Sequence, residues 1–333
     1  MTRTQGTKQR RSIHRCIYCL QDKVHVEFNR EHVFPDGFGK LNGALTLHSC
    51  EVCKECNSYF DKVLDRALLR DTGIGLMRFI VGARHPSEYK HAGRRSRLKS
   101  QYTDGPRPGV LVHVECAPTD LAVTEVPQVI FRDNAGCRHA YSISQLPSFS
   151  QLPLGCDANH VEIRGTADMQ EVAGALRRAG YELLGHETPR EEQPTGPVHV
   201  RTTWTLDDTD RRALMKIAFN YLTYVSGPSV ALQDEFNATR GFIRSGEALG
   251  YDYVAVLPAM RNDPRRCTVA LAMDGFGSPA VHLEFFGAFG LLLRMSTRRD
   301  GPDLGRHAHL YDFARGSVVP LKESTEDASS PSV

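Results

Sequence analysis

Long apolar runs are missing from this chain. No stretch of its 333 residues approaches the roughly 20 consecutive apolar residues that a helix needs to cross a bilayer, so no membrane partner is expected. An apolar leader core is missing too: Met1 to Arg15 is polar and basic, which argues against secretion and makes a cytoplasmic location the expectation. There is no glycine-rich phosphate loop ending in Lys-Ser/Thr and no Gly-x-Ser-x-Gly elbow. Their absence sets aside P-loop nucleotide hydrolysis and the strand-turn-helix serine nucleophile. No segment repeats, which removes solenoid and propeller architectures. Acidic residues are scarce in one place only. Residues 1–100 hold 10 Asp/Glu against 19 Lys/Arg, a net of +9, while the remainder holds 29 against 22, a net of −7.

That split is hidden in an overall formal charge of +2. A basic N-terminal third on an acidic chain suits contact with a polyanion, the alternative being a solvated basic face. The 41% hydrophobic and 24% charged composition is that of an ordinary globular protein, and the length allows two domains. Five of the nine cysteines fall within Cys16–Cys56, and the other four, Cys116, Cys137, Cys156 and Cys267, are scattered. Clustered cysteines in a cytosolic chain point to a metal rather than to disulfides; the scattered four read as ordinary buried residues.

The pattern changes along the chain. Residues 1–12 read as a flexible basic arm, residues 13–83 as a module dense in Cys, His and turn residues, and residues 84–107 as a basic linker or exposed loop. Residues 108–322 read as a single α+β domain, and residues 323–333 as a disordered Ser-, Pro- and acid-rich tail. Asn57–Leu69 has helical periodicity, with Tyr59, Phe60, Val63, Leu64, Ala67 and Leu68 on one side and Asn57, Asp61 and Asp65 on the other. Short β-prone runs follow at Val110–Val114, Val126–Arg132, Ala140–Ile143, His160–Ile163 and Val198–Thr205. A short helix is expected at Asp168–Ala179. The best helix of the C-terminal part is Asp208–Val225, stopped by Gly227-Pro228, with a second at Asp234–Ile243. Strands are expected at Tyr253–Leu257, Cys267–Met273, Val281–Phe286 and Leu291–Met295; Trp204, Phe219, Tyr221 and Tyr224 read as core, and His307 and His309 as strand or loop residues.

Cys16-x2-Cys19 and Cys53-x2-Cys56 are two knuckles separated by 33 residues. Four thiolates so paired suit a structural zinc ion, which would tie the start of the module to the N-terminus of the Asn57 helix. Cys50 fits neither knuckle. Between the knuckles stands Glu31-His32-Val33-Phe34-Pro35, followed by Gly37 and Gly39, and the second knuckle runs directly into Asn57.

This combination, over roughly residues 14–70, resembles the HNH endonuclease superfamily, in its ββα-metal subset with CxxC knuckles. The resemblance implies a small zinc-stapled ββα-metal module; the strand and helix pattern after it adds a larger mixed α+β domain with mostly antiparallel strands, so the chain is expected to be α+β. The resemblance also implies phosphodiester hydrolysis of DNA, with RNA not excluded. His32 matches the general base, Glu31 and Asn57 match ligands of a catalytic Mg²⁺ or Mn²⁺, and Asp61, one turn on, is a further candidate ligand, with Asp65 next. His48 stands where the family has a central Asn, and could orient the His32 ring. The basic residues Arg84, Lys90, Arg94, Arg95, Arg97 and Lys99 are candidate phosphate contacts, with Arg3, Lys8, Arg10, Arg11 and Arg15 as a second arm. For the C-terminal part, target recognition, dimerisation into a homo-oligomer and ligand sensing all stay open. Bacterial restriction and antiphage-defence nucleases of this superfamily often carry such a domain. The rival reading is a zinc-knuckle nucleic-acid-binding module without catalysis.

Overall fold

The computed structural model describes residues 12–70, 72–83, 98–104, 107–116, 121–157, 160–165, 168–182, 185–187, 199–258, 263–298 and 304–321. The expected arm (residues 1–12, all but its last), most of the basic loop and the C-terminal tail lie outside them. Within the described residues the chain forms two compact units. One draws on Met1–Arg70, Ile74–Arg84 and Leu206–Val333, the other on Asp71–Gly73 and His85–Thr205.

The first unit begins with an antiparallel ribbon of β1 (Ile13–Arg15) and β2 (Asp22–Val24), then pairs β3 (Phe28–Asn29) with β4 (Val52–Cys53). Helix α1 (Lys54–Tyr59) continues through a π-helical turn, Phe60–Asp65, into α2 (Arg66–Arg70); α3 (Gly73–Ile80) follows. The π turn matters for the sequence reading. Its wider i→i+5 closure, seen in the Arg66 N–H donated to the Asp61 carbonyl, breaks the 3.6-residue count. Asp65, expected on the exposed face with Asn57 and Asp61, is instead buried.

The second unit holds two four-stranded sheets. One has the order β12 (Val200–Trp204), β5 (Leu98–Tyr102), β6 (Leu111–Cys116), β7 (Leu121–Glu125) and is antiparallel. The other has the order β11 (Gly185–Glu187), β10 (His160–Arg164), β8 (Gln128–Arg132), β9 (Arg138–Ser142), with β10 and β11 parallel. Strand β8 is buried on both faces: Val129 and Phe131 pack with Val172 and Leu176 of helix α4 (Met169–Arg178), while Ile130 joins Tyr102, Val110 and Val112.

The chain then returns to the first unit with α5 (Asp208–Ser226). Asp207 and Asp210 cap it reciprocally, each side chain taking the other's backbone N–H, and Gly227 at φ 82° ends it. From Ala213 to Thr223 every residue of α5 is buried, so it is a central helix rather than an amphipathic surface one. Short α6 (Pro228–Ala231) and α7 (Asn237–Ser245) follow. A six-stranded antiparallel sheet closes the unit in the order β13 (Val254–Leu257), β16 (Phe289–Arg294), β15 (Pro279–Phe285), β14 (Arg266–Met273), β17 (His307–Asp312), β18 (Ser317–Pro320). No helix of the described residues is long and apolar enough to cross a membrane.

Two expectations are corrected here. Residues 108–322 do not make one domain. The part from Leu206 on packs with the N-terminal module, because Phe34 and Phe38 insert their rings against Phe285 and Tyr311 of the sheet. The backbone of Asn42 also exchanges hydrogen bonds with Gly316 and Val318 beside β18, at 2.8 and 2.9 Å. The linker of residues 84–107 in turn contains strand β5. Its inward Ser100 is polar, and is accommodated by a 2.8 Å hydroxyl pair with Thr202. Two smaller readings also change: Tyr224 is 41% exposed and Cys137 is exposed, whereas Phe219, Tyr221 and Cys267 are buried.

Candidate active site and metal centre

The two knuckles meet as the spacing suggests. The sulfurs of Cys16, Cys19, Cys53 and Cys56 all lie within 4.8 Å of one another, and this is the one group of three or more His, Cys, Asp or Glu ligand atoms so gathered among the described residues. The Sγ atoms of Cys19 and Cys53 are 3.8 Å apart, close to the ~3.8 Å edge of a tetrahedron with metal–sulfur bonds of about 2.3 Å. The turn that brings Cys16 and Cys19 together needs Leu20 at a φ of 57°, its N–H donating to the Cys16 carbonyl at 2.9 Å. The Cys53 N–H donates to the Cys16 sulfur at 3.4 Å. Hydrogen bonds, first from the Cys56 thiol and then from backbone groups of Cys19, Cys53 and Tyr18, outweigh burial and push the Cys16 thiol down to about 4. Burial first of all raises Cys19 to about 11. The donor set therefore fits a tetrahedral, thiophilic dication, whose binding displaces the remaining protons. Cys50 stands outside the cluster.

His32 lies on an extended segment paired antiparallel with Thr46. The Val33 N–H donates to Leu45 O at 2.9 Å and the Leu47 N–H to Glu31 O at 2.8 Å. Neighbours on an extended strand face opposite ways. Glu31 turns into the core and is buried, while His32 stays partly exposed on the other side. Asn57 donates its Nδ2 to the Arg30 carbonyl at 3.1 Å, tying the start of α1 to the strand two residues before His32. Among the described residues, its Oδ1 accepts no hydrogen bond.

Three of the expected site residues have other partners or positions than their expected roles require. The Glu31 carboxylate is ion-paired with the buried Lys216 of α5 and accepts from Asn220 at 3.2 Å. Asp65 is committed to the same ammonium, at 2.9 and 3.1 Å. Burial pushes the Asp65 carboxyl up to about 6, against the pull of Lys216. Burial alone would depress the Lys216 ammonium, but Asp65 and Glu31 overcome it and hold it above the usual lysine range. His48, expected to orient His32, makes no hydrogen bond to it. It is exposed, and its backbone N–H is held by the buried Glu51 at 2.7 Å. Asp61 is exposed, and no complete protein cage for a hard divalent cation is assembled around His32 by the described residues. Of the basic candidates, Lys99 is exposed on β5 and Arg15 ends β1; Arg3, Lys8, Arg10, Arg11, Arg84, Lys90, Arg94, Arg95 and Arg97 lie outside the described residues.

The residues that sequence reading missed are Lys216 and Asn220. Asn220 donates to the His32 carbonyl at 2.9 Å and accepts from the Tyr18 hydroxyl at 2.6 Å. Their only signal in the sequence was two polar residues four apart within an apolar helix.

Residues 16–72 match the protein-family model described as HNH endonuclease. No curated protein and no solved structure matches the chain.

Proposed function

We propose, with residues 16–72 identified as an HNH endonuclease module, that this chain hydrolyses phosphodiester bonds of nucleic acid with His32 as general base. One observation carries the reading: His32 is partly exposed on a strand clamped from both sides, by Asn57 at the Arg30 carbonyl and by Asn220 at the His32 carbonyl. A neutral imidazole held there takes a proton from the attacking water as it strikes phosphorus. Zinc is the ion proposed for the four cysteines, where it staples the module and takes no part in the chemistry. A Mg²⁺ or Mn²⁺ ion would neutralise the scissile phosphate, with Asn57 Oδ1 as one protein ligand. With Glu31 paired to Lys216, the described residues supply no complete ligand set for that ion.

DNA is the proposed substrate, with the basic residues on phosphates. RNA is the alternative, because an external water nucleophile makes no use of a 2′-hydroxyl. The commitment of Glu31 to Lys216 favours a second reading, a nucleic-acid-binding module without catalysis. Incubating wild type and His32→Ala with plasmid and with RNA, with and without Mg²⁺, separates them. Cleavage by wild type alone supports the nuclease, and binding without cleavage supports the second reading.

A further inference from the structure

We propose that Asn220 is a positioning residue of this active site, joining the metal knuckle and the His32 strand in one register; the inference rests on His32 being the general base. The side chain sits in the middle of the buried helix α5. A polar group there is retained only when its hydrogen bonds are made. Its amide makes three. Nδ2 donates to the His32 carbonyl at 2.9 Å and to the Glu31 carboxylate at 3.2 Å, and Oδ1 accepts from the Tyr18 hydroxyl at 2.6 Å. Tyr18 belongs to the first knuckle, between Cys16 and Cys19, and is fixed by rings of Phe60 and Phe219 with centroids 4.5 and 5.4 Å away.

The junction needs a planar head carrying both donors and an acceptor. An Asp would lose the donors and set a second carboxylate against Glu31; a Leu would lose everything but the shape. One turn earlier on the same helix, Lys216 is ion-paired with both Glu31 and Asp65. Helix α5 therefore grips the strand on both sides of the Glu31–His32 peptide. The residues that hold the base come from about 190 positions downstream of it, so the first unit is one catalytic body and not a module with an appendage. A base shifted by about 1 Å loses up to ~100-fold in rate, while the substrate is still held normally by groups elsewhere. A purely structural role would not produce that split.

The test is steady-state cleavage of plasmid DNA with Mg²⁺ by the full chain, wild type against Asn220→Leu, Tyr18→Phe and His32→Ala, with metal content and circular dichroism as checks of folding. Asn220→Leu is expected to lower kcat about 10- to 100-fold, with KM and duplex Kd within about two-fold of wild type. A folded, metal-loaded Asn220→Leu protein with wild-type kcat overturns the inference. Should Asn220→Leu fail to fold, Tyr18→Phe decides. It keeps the ring packing and removes one hydroxyl, so kcat lowered several-fold at constant KM supports the positioning role, and wild-type kcat overturns it. Wild-type activity in His32→Ala overturns the general-base assignment itself, a result distinct from failure of the Asn220 inference alone.

Discussion

The ammonium of Lys216 lies against the carboxylate of Glu31, the residue directly before His32, in a fully buried ion pair. Lys216 also bonds both oxygens of Asp65. Two carboxylates therefore share one cation in a dry interior, an arrangement that tolerates the loss of its cation badly.

Lys216→Met is expected to destabilise the protein by about 3–5 kcal/mol at pH 7, because it leaves buried charge without a partner. The loss should shrink with acid. The Asp65 carboxyl is raised in the folded state from 3.8 to about 6, so the stability linked to its proton is present below about pH 4 and is lost as pH rises through 6. Removing Lys216 raises that carboxyl further, so protonation rescues the variant more than it helps wild type. Urea unfolding of both proteins at pH 7 and pH 5.5 measures this. A gap that does not narrow at the lower pH contradicts it.

Cys53→Ser is expected to abolish binding of the proposed zinc ion and to loosen more than the knuckles. Tyr18, between Cys16 and Cys19 in the chain, packs its ring against Phe219 of α5, so the damage reaches the central helix. A structural zinc contributes roughly 10–16 kcal/mol in small modules. Elemental analysis should give one zinc in wild type and none in the variant, and hydrogen exchange should show α5 losing protection. Full protection of α5 in the metal-free variant contradicts the coupling.

Much of this was legible in the sequence. The paired CxxC knuckles fixed which four sulfurs meet, Gly227-Pro228 marked where α5 ends, and the β-prone runs at Cys267–Met273, Val281–Phe286 and Leu291–Met295 marked three strands, β14 to β16. What was hidden has physical causes. The 3.6-residue count placed Asp65 beside Asn57 and Asp61 on solvent, and the π turn at Phe60–Asp65 carried it inside. Glu31 looked like a metal ligand because it precedes the His, but strand alternation sends it to the opposite face, where only a residue far along the chain could meet it. Strand β5 was obscured because Ser100 faces inward and is satisfied by Thr202, a pairing across more than 100 residues that no local pattern reports.

The basic segment gives a prediction independent of the fold. If Arg94, Arg95 and Arg97 bind phosphates, replacing all three by Ala should weaken duplex binding uniformly across sequences. The slope of log K against log salt should fall by about one for each arginine that neutralises a phosphate. Fluorescence anisotropy over a salt series measures the slope; an unchanged value makes the segment a solvated loop.

The most direct test of His32 as general base is single-turnover cleavage of a plasmid by His32→Ala in Mg²⁺, alongside its duplex Kd and its metal content. Removing a general base costs on the order of 10²–10⁴ in rate and leaves ground-state affinity alone. The expected result is a rate lowered by that factor, with Kd and one bound zinc unchanged. Cleavage by His32→Ala at the wild-type rate would contradict it.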